Sequence, residues 1–440
     1  MVNDAAAALY SKIGKKTQQQ VIGLLLPNSW EFVVAYLAIL KLGHIAMPLD
    51  PTYKKLEVAM VLNQIPPLLM VSNPAYSKLI DKTGLEVLMF SDLAGAHPNP
   101  EYLQQDSKTQ IASLVFTSGT TGKPKAATYS HRNHIWNIEV CSKVWDWDHE
   151  DSLLVSLSLS KWYGLVMGLG GAIYHGNTMY LDDWFDEHET LKTLASGKIS
   201  IFTHISTTYY KLLEAEGDFD ISKVRLCISG GAALPPAIWQ AFKDRFGQEI
   251  LEVYGSSETG RIASNLLDER IPGSPGRVLD GVELKFSDEN EVLIKSEGVF
   301  PGYYNNPEAT QAAYTTDGYW RTGDIGELNN ERLVLKGRRM ERIRRFGYTI
   351  SPRDVEWALH QNPDIKEIYV LGVQNPQQPN DRLVYFINST LGESAIRDFC
   401  KQNLPFAWRP DDIIMVEAIP RTKNGKPKIS KLRELALENI

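Results

Sequence analysis

The chain has 440 residues, 43% of them apolar and 22% charged, with a formal net charge of −7. That length exceeds what one hydrophobic core normally serves, so two or more domains are expected, and the acidic balance argues against a dedicated nucleic-acid surface. Cys141, Cys227 and Cys400 are far apart with no C-x-x-C spacing, which argues against a disulfide framework or a Cys-based zinc site and fits a reducing cytoplasm.

No apolar run reaches membrane-span length; Phe32–Leu42 is too short and is broken by Lys41. The opening residues M-V-N-D-A-A-A-A-L-Y lack a basic segment ahead of an apolar one, so no signal peptide is read. Val21–Leu26 reads as a buried strand, and Asn28 with Glu31 reads as a capping box for a helix over Trp30–Leu42 that ends before Gly43. Ile111–Phe116 is another strand, followed by F-T-S-G-T-T-G-K-P-K-A (Phe116–Ala126). Glycines that tolerate positive φ let successive N–H groups converge on one anion, while the hydroxyls and lysines add donors and charge. That suits a loop wrapped around a phosphate chain, although a Ser/Gly/Thr surface turn has the same composition. It is not a Walker loop, because Pro124 stands where G-x-x-x-x-G-K needs its second glycine.

Further on, Ser200–His204 reads as a strand, Ser206–Ala215 as a helix and Val224–Ser229 as a strand. A helix over Pro235–Phe246 has proline at its start and Gly247 after its end, and Glu249–Val253 is the next strand. This βαβα rhythm implies an α/β fold with a parallel sheet covered by helices. From about Ile271 the texture changes to short strands, Glu283–Phe286, Glu291–Lys295 and Arg332–Leu335, which predicts a small antiparallel barrel or sheet. A basic stretch, K-G-R-R-M-E-R-I-R-R, marks a domain boundary near Gly337–Met340, and a compact α+β pattern follows.

Ligands of open α/β sheets sit outside the carboxyl ends of strands, so the hydroxyl/glycine loop and Y-G-S-S-E-T-G (Tyr254–Gly260) are expected to face one crevice. Glu258 would then be a carboxylate beside a polyphosphate, the natural place for Mg²⁺, although taken alone it reads rather as a solvated loop glutamate. The loop S-G-G-A-A-L-P (Ser229–Pro235) allows a flat ring to approach the backbone, or simply makes a tight turn before a helix.

The segments F-T-S-G-T-T-G-K-P-K, S-G-G-A-A-L, Y-G-S-S-E, W-R-T-G-D (Trp320–Asp324), G-R-R-M-E-R-I-R-R-F-G-Y-T-I-S-P (Gly337–Pro352) and P-R-T-K-N-G-K-P-K (Pro420–Lys428) span nearly the whole chain. In that order they resemble the adenylate-forming superfamily of acyl- and aryl-CoA ligases, peptide-synthetase adenylation domains and luciferases. The resemblance implies a large N-terminal domain (1–337) of layered mixed and parallel sheets with helices, including a small β-barrel-like subdomain at about 271–337. It also implies a small mobile α+β C-terminal domain (338–440). By the same resemblance, Thr117, Ser118, Gly119, Thr120, Thr121, Gly122 and Lys125 hold the phosphates of ATP. Tyr254 packs on adenine, followed by Gly255 and flanked by Gly230, Gly231 and Ala232. Ser257 stands where the family has a threonine near the α-phosphate, Glu258 ligates Mg²⁺, Asp324 binds the ribose and Arg338 helps to hold the nucleotide. Lys426 matches the mobile lysine that bridges the attacking carboxylate and the α-phosphate.

A domain rotation would then admit the thiol, pivoting at Met340 where the family usually has Asp or Lys. Gly347 would leave room for pantetheine. Arg338, Arg339, Arg342, Arg344 and Arg345 would attract CoA phosphates or an acidic carrier protein, or form a solvated basic face. The family's P-L-F-H-x-x-G appears as S-L-S-K-W-Y-G, which puts Lys161 at the usual His or aromatic. Lys161 either pairs with a second acidic or polar group of the substrate or caps the pocket mouth in water. Trp162, Tyr163, His204, Ile205 and Thr207 are the other pocket candidates. The absence of an Asp in that stretch disfavours an amino-acid substrate. The family's first strand and helix are not seen before Ala5–Leu9, which suggests a short or truncated amino terminus.

The function implied is ATP- and Mg²⁺-dependent activation of a carboxylic acid to an acyl-adenylate, then transfer to CoA. G-Y-T-I-S-P and P-L-D-P (Pro48–Pro51) favour CoA ligases. The alternatives are a stand-alone enzyme loading a carrier-protein phosphopantetheine, and a non-catalytic nucleotide-binding homologue, against which the presence of Glu258, Asp324 and Lys426 argues.

Overall fold

Strands buried on both faces carry unbroken apolar runs, and Val21–Leu25 and Leu69–Ser72 have that pattern. In the computed structural model both are strands buried along their whole length. The structure describes residues 1–80, 84–93, 110–117, 125–338, 343–345, 348–350, 352–373, 381–422 and 425–438. A first sheet contains β1 (Val21–Leu25), β2 (Ile45–Pro48), β3 (Leu69–Ser72), β4 (Val87–Met89), β5 (Ile111–Thr117) and β6 (Lys125–Ser130), in the spatial order β4-β3-β1-β2-β5-β6. Its pairs are parallel except β5 with β6, which form a hairpin.

A second sheet begins with parallel strands β7 (Ser152–Val155), β8 (Thr178–Leu181), β9 (Ile201–Ile205), β10 (Leu226–Gly230) and β11 (Ile250–Ser256). It continues with β12 (Gly260–Ser264), β13 (Arg277–Val278), β14 (Glu283–Phe286), β15 (Glu291–Lys295), β16 (Trp320–Asn329) and β17 (Arg332–Arg338), all antiparallel to their neighbours. The short antiparallel strands expected after Ile271 are therefore present. They are hydrogen-bonded through β12 and β13 to the parallel strands, making one sheet of order β14-β15-β16-β17-β13-β12-β11-β10-β9-β7-β8. The last part of the chain forms a hairpin of β18 (Ile343–Arg345) and β19 (Tyr348–Ile350). A sheet of β20 (Ile365–Val373), β21 (Arg382–Ser389) and β22 (Asp412–Met415) follows, with helices Pro352–Leu359, Glu393–Asn403 and Ile429–Glu438. Among the described residues no helix is long and apolar enough to cross a membrane.

The helix after β1 covers Trp30–Lys41, but its cap is Ser29, whose hydroxyl accepts from the Phe32 N–H at 3.3 Å. Asn28, expected to cap it, does something else. Its side-chain nitrogen donates to the carbonyls of Leu157 (2.9 Å) and Asp182 (3.0 Å), and its oxygen accepts from the Leu159 N–H (2.8 Å). This buried amide therefore staples the first sheet to the segment after β7 that leads into Lys161–Tyr163. Across the second sheet, buried Asp151 accepts from Arg225 Nε (2.8 Å) and Ser200 Oγ (2.6 Å), joining β7, β9 and β10 at their amino ends.

Replacing Asn28 by Ala strands two carbonyls and one N–H in the interior. The expected loss is about 3 kcal/mol of unfolding free energy, since each buried orphan costs about 1–3 kcal/mol. Urea denaturation of the full chain measures it, and a loss below 1 kcal/mol would refute the staple.

Candidate active site

The hydroxyl/glycine loop is closed at its base by the β5–β6 hairpin, in which Thr117 pairs with Lys125. Ser118, Gly119, Thr120, Thr121 and Gly122 lie outside the described residues. The Lys125 ammonium sits 5.0 Å from the centre of the Tyr303 ring, a cation–π contact. Tyr303 in turn donates its hydroxyl to Glu258 Oε1 at 3.3 Å. Backbone bonds explain how residues so distant in sequence meet. Thr128 N–H donates to the Gly302 carbonyl (3.0 Å) and Tyr304 N–H to that of Ala126 (2.8 Å), so Gly302–Tyr304 runs along β6.

Glu258 occupies the turn between β11 and β12. Ser256 N–H donates to Thr259 Oγ (2.8 Å), and Ser256 Oγ accepts from the N–H groups of Glu258 and Thr259 (3.2 Å each). These local side-chain bonds fix the turn without help from a ligand. The Ser257 carbonyl accepts from the buried hydroxyl of Tyr129 on β6, so the two sheets are tied at this point as well.

On β11, the Tyr254 hydroxyl donates to Asp324 Oδ2 on β16 at 2.6 Å. The residues expected to meet the adenine and ribose are thus hydrogen-bonded to each other. Gly255 follows in the same strand, and Arg338 stands opposite Asp324 in the β16–β17 register. Gly230 ends β10, and Gly231 and Ala232 are exposed beyond it. A Cβ added at Gly230 would lie 2.7 Å from Val253 Cγ2, closer than real Cβ atoms come, and a tight 3.1 Å from the Tyr163 hydroxyl, so Tyr163 packs directly against this glycine.

The acyl-pocket candidates divide. Trp162 is buried and Tyr163 opens a π-helical segment, Tyr163–Gly170, a rare form often found at functional sites. Tyr163 accepts a hydrogen bond at its hydroxyl from Thr203 Oγ (2.7 Å). Lys161 has a charged partner within the chain. Its ammonium forms a 3.1 Å ion pair with Asp50 of the P-L-D-P segment and lies 5.3 Å from the Tyr53 ring centre. Burial pushes the Asp50 carboxyl up, but the Lys161 charge and the bonds from Thr52 outweigh it and hold the group below its usual value. The lysine's charge is already matched within the chain.

His204 corrects its pocket assignment. Side chains alternate along a strand, so Thr203 faces Tyr163 while His204 shares the opposite face with Phe202. There His204 is 5% exposed, packs on Phe185 (5.3 Å between ring centres), and accepts at Nδ1 from Ile205 N–H (3.0 Å) and from Thr208. Burial pushes its pKa down to about 3. The ring is neutral and belongs to the helix-packing layer, not to the pocket.

Sequence reasoning missed Arg261. It is 2% exposed on β12, its guanidinium carbon 4.1 Å from the Tyr163 ring centre and 5.2 Å from that of Trp162. The available signal was a lone arginine in the otherwise uncharged run T-G-R-I-A-S.

Lys426 lies in an exposed loop closed by bonds from Thr422 N–H to the Lys426 carbonyl (2.7 Å) and from Lys428 N–H to that of Pro420 (2.7 Å). Gly425 before it has φ +74° and backs onto the Thr207 side chain, leaving no room for a Cβ. Thr207 is in the first turn of the helix after β9. The lysine loop is therefore seated at the carboxyl ends of the parallel strands. The hinge residue Met340 and the thioester-loop residue Gly347 lie outside the described residues.

The family model described as AMP-binding enzyme matches residues 1–304, and its C-terminal domain model matches residues 354–426. The chain is 30% identical over 428 residues to the 2-succinylbenzoate–CoA ligase of Listeria monocytogenes, spanning 95% of this chain and 89% of that one. It is 27% identical over 476 residues to the mitochondrial malonate–CoA ligase ACSF3 of Homo sapiens, spanning 94% and 82%. ATP-bound MatB from Rhodopseudomonas palustris superposes with a TM-score of 0.92 at 24% identity, covering 99% of this chain and 92% of that one.

The His204 geometry carries a pH dependence. Its folded pKa lies below the unfolded value of about 6.5, so as pH falls beneath about 6.5 the unfolded chain takes up a proton that the folded one refuses. Stability is full above that pH and declines toward about pH 3, at up to about 1.4 kcal/mol per pH unit. His134, buried and pushed to about 3 by burial and then by His131, contributes in the same direction. His204→Gln is expected to reduce the slope of denaturation free energy against pH between pH 7 and 4.5 by up to about 1.4 kcal/mol per pH unit; an unchanged slope would place a titrating, accessible imidazole there.

Proposed function

The chain belongs to the AMP-binding enzyme family and is an AMP-forming acid–CoA ligase, and on that premise we propose how its residues divide the work. ATP lies along the carboxyl ends of the strands, its adenine on Tyr254 beside Gly230–Ala232 and its ribose hydroxyls on Asp324. Its phosphates run toward Thr117, the loop 118–122 and Lys125. The observation that best supports this reading is the seating of the Gly425–Lys426 loop against Thr207. That contact sets the backbone before Lys426 at the carboxyl end of β9, the edge of the sheet on which β11 ends before the Glu258 turn.

The chemical difficulty is electrostatic. A carboxylate must approach a polyphosphate, and two like charges about 4 Å apart in a partly dry site repel by about 4 kcal/mol. Lys426 offsets that repulsion where the carboxylate oxygen meets the α-phosphorus, so its contribution appears in the transition state. Ser257 stands beside the same phosphate. Glu258 suits Mg²⁺, being a single part-buried carboxylate on a fixed turn, and Mg²⁺ takes most of its ligands from phosphate and water. When bound, that ion supplies positive charge shared between phosphate oxygens.

Carboxylate attack releases pyrophosphate and leaves an acyl-adenylate; the CoA thiol then displaces AMP. For that second step the segment 338–440 is expected to turn as a smaller lobe; its expected hinge, Met340, and thioester-loop residue, Gly347, lie outside the described residues. The named relatives act on 2-succinylbenzoate and malonate, each of which retains a second carboxylate after ligation, so dicarboxylic acids head the panel of substrates to test.

Lys426→Ala is expected to lower acid-dependent pyrophosphate release about 10²–10³-fold while sparing conversion of supplied acyl-adenylate to acyl-CoA. Equal losses in both steps would refute the role. Asp324→Asn is expected to weaken AMP binding about 10-fold or more by calorimetry, the scale for losing a charged hydrogen-bond partner; unaltered affinity would move the ribose elsewhere.

A further inference from the structure

Arg261 is the most isolated buried charge near the site. Its Nε and Nη2 are buried and reach no acceptor among the described residues, and neither does the indole Nε1 of neighbouring Trp162. Every unmet group in this cluster is a donor. Buried polar groups are satisfied almost without exception in native proteins, and each unsatisfied one calls for a physical cause. The π faces of Tyr163 and Trp162 meet part of the need, worth about 2 kcal/mol when desolvated. The effective cost of taking a cation out of water is several kcal/mol, so the aromatic contacts leave a deficit. Cys141 lies within hydrogen-bonding reach of Arg261 and meets the need only in part, because burial pushes its thiol up to about 12 and the sulfur carries no charge.

The position of the cluster indicates what would close it. Tyr163 packs its hydroxyl end against Gly230 at the end of β10, and the same ring carries the Arg261 guanidinium 4.1 Å from its centre. An acid whose reacting carboxylate sits at the α-phosphate, near Gly230, and which extends past Tyr163 brings its far end to Arg261. The main-chain N–H of Arg261 donates to Asn137 Oδ1 (2.6 Å), which fixes the strand from which the guanidinium projects. Lys161, the other cation of this region, is neutralised by Asp50.

We propose that Arg261, with the indole N–H of Trp162, recognises a second carboxylate on the acid and makes this chain selective for dicarboxylic substrates. The proposal rests on the ligase reading above. A carboxylate accepts several hydrogen bonds and matches the forked geometry of a guanidinium, whereas an ester or methyl group leaves the same donors unmet and is rejected. Arg261 is thus a specificity-determining residue and takes no part in the adenylation chemistry.

The test measures pyrophosphate release by the full chain with ATP, Mg²⁺ and CoA on matched acids: malonate, succinate and glutarate against their monomethyl esters. The expected wild-type kcat/KM for the best free diacid exceeds that of its half-ester on the order of 100-fold, the scale for desolvating an unpaired charge. Arg261→Met collapses that ratio toward one, and Arg261→Lys restores part of it. Trp162→Phe keeps the ring, removes the N–H and lowers the ratio about 10-fold. It provides the same reading should Arg261→Met fail to fold. A wild-type preference for half-esters, or a ratio unmoved by either substitution, overturns the assignment of Arg261 while leaving the ligase reading intact. Absence of pyrophosphate release with these and with aromatic and medium-chain acids alike overturns both.

Discussion

The site depends on one reversal of chain direction. The second sheet runs parallel from β8 to β11, and at Ser256–Gly260 the chain turns back as β12, after which every pairing within that sheet is antiparallel. A parallel strand must leave through a long crossover, whereas a hairpin keeps the residues on both sides of its turn within a few ångströms. Tyr254 and Glu258 on the way out and Arg261 on the way back therefore belong to one rigid unit. Each has a partner from another part of the chain: Asp324 on β16, Tyr303 beside β6, and Tyr163 at the head of the π-helical segment.

Polar ties set the relative position of the two sheets around that hairpin. Asn28 fixes the segment that carries Lys161–Tyr163, and the Tyr129 hydroxyl holds the Ser257 carbonyl. Hydrophobic burial drives the sheets together but does not set their offset, because it is non-directional. Hydrogen bonds of buried groups do set it, since a displaced amide leaves its partners unmet. That is why a catalytic cleft assembled from two sheets is lined with satisfied amides and phenols.

Charge is distributed unevenly across this cleft. Lys161 and Asp50 neutralise each other, His204 and His134 are uncharged, and the Lys125 ammonium rests on an aromatic ring. Arg261 alone in that neighbourhood is enclosed without an acceptor for two of its nitrogens among the described residues. In a water-poor site the energy of an ionic contact depends on whether its partner is already present, so the unmatched cation is the one with free energy left to contribute to a ligand.

The order and type of the elements were legible because they depend on local chemistry. Glu283–Phe286 and Glu291–Lys295 are strands over the residues read from the sequence, and the helix before Gly247 begins at Pro236, one residue after the Pro235 read as its start. That the 118–122 loop and the Glu258 turn follow strands directly was legible too. What the sequence could not reveal was which side chains meet. Asn28 was read as a cap because capping is judged from neighbours three residues apart, yet its partners are Leu157, Leu159 and Asp182. Lys161 and His204 were assigned to the pocket from their positions in a motif and a strand. Only the tertiary structure showed that Asp50 claims the first and that strand alternation turns the second away. Arg261 became visible only through what surrounds it, because the solvation of a charge is a property of packed three-dimensional neighbours and leaves no mark on the order of residues along the chain.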